Sequence, residues 1–486
     1  MKQNILILAL DGLSISLIQK LNYLENGYFR DFSLKNIDAD LLSRGWAEWI
    51  SGKSGYEIDA LYNKPKGSNS WSFTQKYEIS DYQKNESKPI WESLNELDLK
   101  VGLFGLPTTY PAPRVKGYCI SGSGAGFDQS SGISEKAVNP KKLLQEIKDF
   151  GGLSPEIRFS NGKYTSKNDF LRDESTGLIN RSKLFTFLSK KYSTDVNIFF
   201  DKYFAHLAWI CMGEIELYYQ GKLKKTEFLI EHLKAFNDAI NNIIHELKPA
   251  GVILISDHGV QKRVYSVNMN KFLEKVGLIK KGSITKKIGV LSKKFLKKII
   301  PPRYHKPISS QFLKNKSRVG IPGNGIYDES KSYLFAARYI PGLFINTSRF
   351  GGNVDSDKIE FYRKYLKDLI SNDDILKKIG IRVDLNALNC KMANNLGKEF
   401  IPLTEPAGVF FEDNGKMVMK NKFLNEHDDK IPRGSSMLTG IKNRDAIFGL
   451  NFVKKLDFID DIFEECNNLR ESNFATLSII KKYFKK

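Results

Sequence analysis

Unbroken apolar runs are spread along the chain, and the most pronounced of them end abruptly on polar residues or glycine. Ile5-Leu6-Ile7-Leu8-Ala9-Leu10 gives way to Asp11-Gly12-Leu13-Ser14, and Val252-Ile253-Leu254-Ile255 gives way, after one serine, to Asp257-His258-Gly259. A run without polar alternation predicts a strand covered on both faces. Val101 to Leu106, Val196 to Phe200, Leu343 to Ile345, Val409 to Phe411 and Ala446 to Phe448 predict further strands. Helical spacing fills much of the remainder. Leu229, Leu233, Phe236, Ile240, Ile243 and Leu247 form one face of a long helix within 224–247, which feeds the strand before Asp257. Trp46, Trp49 and Ile50 mark a short helix, Trp91 and Leu94 another, and 457–486 is expected to be helical and peripheral. These elements predict the α/β class.

Length and charge refine this picture. The 486 residues suffice for one large α/β domain with insertions, expected as a core of 1–260 and 325–486 interrupted by a basic helical insertion or cap at 261–324. The net charge of +20 is concentrated in that insertion: fifteen Lys or Arg lie between Lys271 and Arg318 against a single acid, Glu274. Ile288, Leu291, Phe295 and Ile299 step along it at helical spacing with lysines on either side. A basic amphipathic helix over 286–300 could lie on an anionic membrane surface, cover an anionic substrate, or present a solvated lysine face while packing on the core. Nucleic acid is the weaker partner, because only Phe272, Phe295, Tyr304 and Phe312 are available there for stacking on bases. The opening apolar run is too short for a signal peptide, and no segment is long enough to cross a bilayer. The four cysteines lie far apart without CxxC spacing, which predicts a reducing, cytoplasmic location, with the basic helix as a peripheral contact to the inner membrane surface.

Chemistry is expected at the strand ends. Two strands distant in sequence deliver Asp11, Asp257 and His258 to one sheet edge, and ligands of open α/β sheets bind at the carboxyl ends of strands. Two oxygen donors with one nitrogen suit zinc, manganese or iron better than calcium. A third strand end, after Phe200, carries Asp201 and His206, the latter followed by apolar residues that equally suit a core histidine. Ser43 precedes the helix of Trp46, as an N-cap or as a nucleophile. His232 and His245 fall off the apolar stripe of their helix and are assigned to no site.

In order along the chain, ILALDGLS, the tryptophan-containing turn ending SGKSG, VGLFGLPTTYPAP with ISGSG, FDKYFAHLAW, ISDHG and GLFINTSRFGGNV resemble the alkaline phosphatase superfamily, in its type I phosphodiesterase and nucleotide pyrophosphatase branch. The resemblance implies a three-layer α/β/α sandwich with a mostly parallel central sheet and one or two divalent metal ions, commonly zinc with manganese as the alternative, which activate a Ser or Thr nucleophile and neutralise the transferred phosphoryl group. Carried over, Asp11, Asp257 and His258 match the first metal site, and His206 matches a histidine of the second. Three positions depart from the pattern. Leu42 falls where the nucleophile belongs, with Ser43 one residue late. Lys202 stands where a metal-binding aspartate belongs, with Asp201 one residue early. Lys442 replaces the last histidine, and His427 is the nearest other imidazole in sequence.

The leading expectation is therefore a metal-dependent phosphoric ester hydrolase or phosphotransferase, working through Ser43 or a metal-held water, with Asp201 and His206 at a second ion or the leaving group. Lys442 would supply lost positive charge, and the basic insertion suggests an anionic substrate such as a sugar phosphate or a surface-polysaccharide precursor. The alternative is a catalytically impaired relative that binds a phosphorylated ligand or a partner. Sulfatase chemistry is discounted because no C/S-x-P-x-R sequence occupies the nucleophile region.

Overall fold

The computed structural model describes residues 4–21, 28–62, 64–65, 73–74, 77–122, 133–154, 164–224, 227–282, 327–384, 396–412, 415–425, 438–454 and 456–484. The expected basic helix at 286–300 and His427 lie outside them. The chain divides into two compact units, one of Met1–Leu61, Lys76–Lys262 and Lys422–Lys486, the other of Tyr62–Gln75 and Arg263–Asn421.

The first unit is built on eight strands: β1 (Ile5–Leu10), β2 (Ser33–Asp38), β3 (Val101–Phe104), β4 (Tyr118–Ile120), β5 (Val138–Asn139), β6 (Val196–Asp201), β7 (Gly251–Ile255) and β8 (Asp445–Phe452). They form one sheet in the order β2-β8-β7-β1-β6-β3-β4-β5. The five central strands, β7 to β4, run parallel; β8 is antiparallel to both β7 and β2, and β5 is antiparallel to β4. Central parallel strands are buried on both faces, which is why they read as continuous apolar runs.

The helices that position the site are α1 (Gly45–Ser51), α2 (Lys167–Lys191), α3 (Tyr203–Tyr219), α4 (Glu227–Leu247) and α5 (Leu469–Tyr483). Successive residues of β1 enter different cores, because side chains on a strand alternate between faces. Leu6, Leu8 and Leu10 pack with apolar residues of α2, α3 and α4, whereas Ile5, Ile7 and Ala9 pack with those of α1 and α5. The result is a three-layer α/β/α sandwich with a mostly parallel sheet, as expected. Each fully buried Leu or Ile in these cores contributes on the order of 1.5–3 kcal/mol of transfer free energy.

Among the described residues, no strand between 263 and 421 pairs with the sheet of eight, and 263–421 falls in the second unit. There, Tyr265–Val267 pairs with Val409–Phe411 and Val418–Lys420, and Gly342–Ile345 with Leu334–Ala336 and Phe400–Pro402. The C-terminal segment is not peripheral throughout: Leu469, Ile479 and Ile480 of α5 are buried, and Asn473 donates from its side chain to the Trp49 carbonyl of α1. The 25-residue α2 has no counterpart among the expected elements, because polar and charged residues interrupt its buried face.

Candidate metal centre

β1 and β7 are in register, Ala9 opposite Ile255, so the chain delivers Asp11 and Asp257 two residues later from neighbouring strands. Ser256 fastens the two exits together: its hydroxyl donates to the Leu13 carbonyl at 2.6 Å and accepts from the Ile447 amide at 3.0 Å. The exit from β1 turns at Gly12, whose φ is +78° and where a Cβ would meet the Ala205 backbone at 2.9 Å. Only glycine accommodates that backbone at that distance.

Asp11, Asp257 and His258 converge at this edge with ligand atoms all within 4.8 Å of one another, and all three are buried. His258 Nε2 lies 3.2 Å from Asp11 Oδ1 and 3.7 Å from Asp257 Oδ1. None of these three atoms makes a hydrogen bond of acceptable geometry. The other imidazole nitrogen, Nδ1, lies 2.8 Å from the Gly259 carbonyl, which can only accept, so Nδ1 carries a proton. In the neutral ring Nε2 then presents a lone pair toward two carboxylates. That arrangement is repulsive by itself and is relieved by a cation among the three atoms. Ligand atoms bound at about 2.0–2.2 Å to one tetrahedral zinc stand roughly 3.3–3.6 Å apart, close to the two distances from Nε2 to the carboxylates. The Nδ1 hydrogen bond to a carbonyl is also how metal-binding histidines are usually oriented.

Burial works to raise the Asp11 carboxyl, but positive charge on the His258 imidazole, with Lys442 and Lys202 beyond it, brings it below the usual carboxylate range, so the carboxylate is stabilised by whichever cation the group holds, a proton on Nε2 or a metal ion. Burial and the neighbouring Asp11 charge push the Asp257 carboxyl up. Trp209 covers the imidazole, its ring stacked on His258 at 6.4 Å between centroids and 13° between planes.

The other expected site residues do not join this group of ligand atoms. Asp201 is buried and already engaged: Arg181 Nε donates to Oδ2 at 2.7 Å and the Tyr203 amide to Oδ1 at 2.8 Å. His206 places Nδ1 3.5 Å from Glu174 Oε2, and its ring lies 5.8 Å between centroids from Trp209. Ser43 is buried ahead of α1, with its hydroxyl donating to Asp40 Oδ2 at 3.0 Å and interacting with Glu48. α1 approaches the centre through its first residue instead, since a Cβ on Gly45 would stand 2.8 Å from both Cβ and the carbonyl oxygen of Asp257. Lys442 lies opposite Val260 on the strand pair Gly259–Lys262 and Gly440–Asn443. His232 stays outside the site, held by Ser175 and Asn168, with burial pushing its pKa down to about 4.

Sequence reasoning missed Glu174 and Arg181, which stand seven residues apart on one face of α2 and make a buried ionic group with Asp201. Their helical spacing was the available signal. Trp209 was missed as the cover of His258, since only the fold brings α3 over the β7 exit.

No family model matches the chain, and no curated protein matches it in sequence. Among solved structures, the chain is similar to phosphonoacetate hydrolase from Sinorhizobium meliloti 1021 in complex with phosphonoformate, at 9% identity and a TM-score of 0.49 over 99% of this chain and 96% of that one. It is also similar to an inactive variant of murine ectonucleotide pyrophosphatase/phosphodiesterase 5 in complex with AMP, at 8% identity and a TM-score of 0.43 over 93% and 88% of the two chains. The human form of the latter aligns at 9% identity with a TM-score of 0.40 over 92% and 87%.

Proposed function

We propose that the protein is a metal-dependent phosphoric ester hydrolase or phosphotransferase. The observation that carries this reading is the convergence of three buried ligand atoms, with Nε2 of His258 facing the carboxylates of Asp11 and Asp257. These residues would hold one divalent cation, zinc before manganese. When bound, the ion supplies positive charge against the oxygens of a phosphoryl group and favours the ionised form of a nucleophile.

The chain's own residues do the rest. Lys442 presents a fixed positive charge to the same edge, where it can hold a phosphoryl oxygen. Asp201, locked by Arg181, sets the corner between β6 and α3 from which Trp209 reaches His258. Ser43 has a hydroxyl whose proton Asp40 can accept, and it is the nucleophile candidate. The concentration of lysine at 271–318 favours an anionic substrate, for which a sugar phosphate or a surface-polysaccharide precursor is the working choice.

A specific observation favours a second reading, a protein that binds a phosphorylated ligand without turnover. Leu42 occupies the nucleophile position of the resembling family, and the Ser43 hydroxyl is engaged by Asp40 and Glu48. Elemental analysis of protein purified without chelator, combined with hydrolysis of an aryl phosphomonoester and an aryl phosphodiester, separates the two. Bound metal with hydrolysis lost in Asp257→Ala supports the enzyme, and Ser43→Ala then decides between a serine and a water nucleophile. Bound metal without turnover of either ester, across several added metals, supports the binding protein. Failure to bind metal even after reconstitution would sink both.

A further inference from the structure

Asp201 and His206 are the residues expected at a second ion, and the structure gives them an arginine instead. Asp201 ends β6, which lies beside β1 in the sheet, and its carbonyl accepts from the Asp11 amide at 3.0 Å. His206 follows in the first turn of α3. Both carboxylate oxygens of Asp201 are taken, Oδ2 by Arg181 Nε at 2.7 Å and Oδ1 by the Tyr203 amide at 2.8 Å. Arg181 Nη2 lies 3.7 Å from Glu174 Oε2, and the same glutamate oxygen lies 3.5 Å from His206 Nδ1. Asp201 and His206 are therefore linked through Arg181 and Glu174, not through a shared ligand position. All four side chains are buried, and none belongs to the one group of described residues whose ligand atoms converge for a metal.

The long helix α2 is shaped for this arrangement. Glu174 and Arg181 stand two turns apart on one face of it, and Gly177 lies one turn before Arg181. A Cβ on Gly177 would come within 2.9 Å of Arg181 Nη1. Glycine inside a helix is unfavourable, and here the missing side chain leaves room for the guanidinium.

We propose that Arg181 stands in for a second ion, so that the centre takes a single divalent cation, on Asp11, Asp257 and His258. The inference rests on the metal-dependent reading above. A guanidinium keeps its proton and has no lone pair to give, so Arg181 is a fixed positive charge that can never become a ligand. A dication on Asp201 would share Oδ2 with that charge at hydrogen-bond distance. To enter, it would have to expel a guanidinium that Glu174 also holds, from a site closed to water.

The test uses the full-length protein with zinc alone as the probe. Elemental analysis after equilibration with excess zinc is expected to give one equivalent. His206→Gln should keep that equivalent, with a dissociation constant within about twofold of the unaltered protein's. Arg181→Met removes the charge and leaves Asp201, Glu174 and His206 to a cation from solution. It should take up a second equivalent, which a further His206→Gln should abolish. Should the methionine variant fail to fold, the zinc count of the unaltered protein and the affinity of His206→Gln carry the test. Two equivalents in the unaltered protein, zinc binding weakened about tenfold or more by His206→Gln, or a folded Arg181→Met that still takes one equivalent would overturn the inference and leave the metal-dependent reading standing. No zinc in any of these proteins would overturn that reading and this one with it.

Discussion

Glu48 is a carboxyl group in an unusual position. It is buried in α1, accepts a hydrogen bond from the Gly55 amide at 2.6 Å, and shares its surroundings with Ser43 and Asp40. Burial pushes its pKa up to about 7 from an ordinary 4.5, with Asp40 adding to the rise and the Gly55 amide, Ser43 and Arg470 opposing it. A carboxyl group whose pKa is higher in the folded protein than in the unfolded chain favours folding while it is protonated. Its contribution is fully present below about pH 4.5 and is lost as the pH rises through about 7. Glu48→Gln keeps the shape and removes the charge. Its stability in urea should therefore change less between pH 4.5 and 7, and at pH 8 it should exceed that of the unaltered protein by about 1–3 kcal/mol. An unchanged pH profile would show that Glu48 is not the titrating group. The same cluster bears on Ser43, because a protonated Glu48 can donate toward the serine hydroxyl and an ionised one can only accept.

At the scale of elements, the strand exits explain both what the sequence disclosed and what it hid. Asp11 and the Asp257-His258 pair were legible because each follows a buried parallel strand directly, and β1 and β7 are neighbours in register. The sheet itself was legible for the same reason: strands buried on both faces need no polar alternation. Side chains delivered by helices were hidden. α2 buries Lys167, Glu174, Ser175, Arg181 and Ser182 among its apolar residues, so its periodicity does not stand out, and the ionic group that occupies Asp201 could not be seen from the segment around Asp201 alone. The placement of α1 was equally hidden, although its tryptophans marked the helix. Its first residue, Gly45, rests on Asp257, with Leu469 of α5 3.0 Å from where a Cβ would be. Gly45→Ala would normally favour a helix slightly, but here the methyl group has to displace either α1 or Asp257. It should cost about 1–3 kcal/mol in denaturant unfolding and weaken zinc binding in titration. Loss of stability with unchanged zinc affinity would mean that α1, and not Asp257, gives way.

Across the molecule, the first unit carries two buried carboxylates beside an imidazole at its sheet edge, and two adjacent buried negative charges lower stability unless positive charge compensates them. Lys202 and Lys442 offset part of the charge, and the Asp257 carboxylate remains the less favourably placed of the two because burial and Asp11 both disfavour it. Two opposite effects should follow from Asp257→Asn. Without metal, the variant should be more stable than the unaltered protein by about 1–2 kcal/mol, since one of two adjacent like charges is gone while the shape is kept. With zinc the order should reverse. A ligand that binds only the folded state adds about 2.7 kcal/mol at a free concentration one hundred times its dissociation constant, and the variant forgoes most of that gain. Thermal melts of both proteins in chelator and in a zinc series measure all four quantities. Melting temperatures that cross between the two conditions would identify Asp257 as a ligand whose charge is tolerated for the sake of the metal. A variant that is less stable in chelator and responds to zinc like the unaltered protein would instead make Asp257 a structural carboxylate and leave Asp11 and His258 without their third partner.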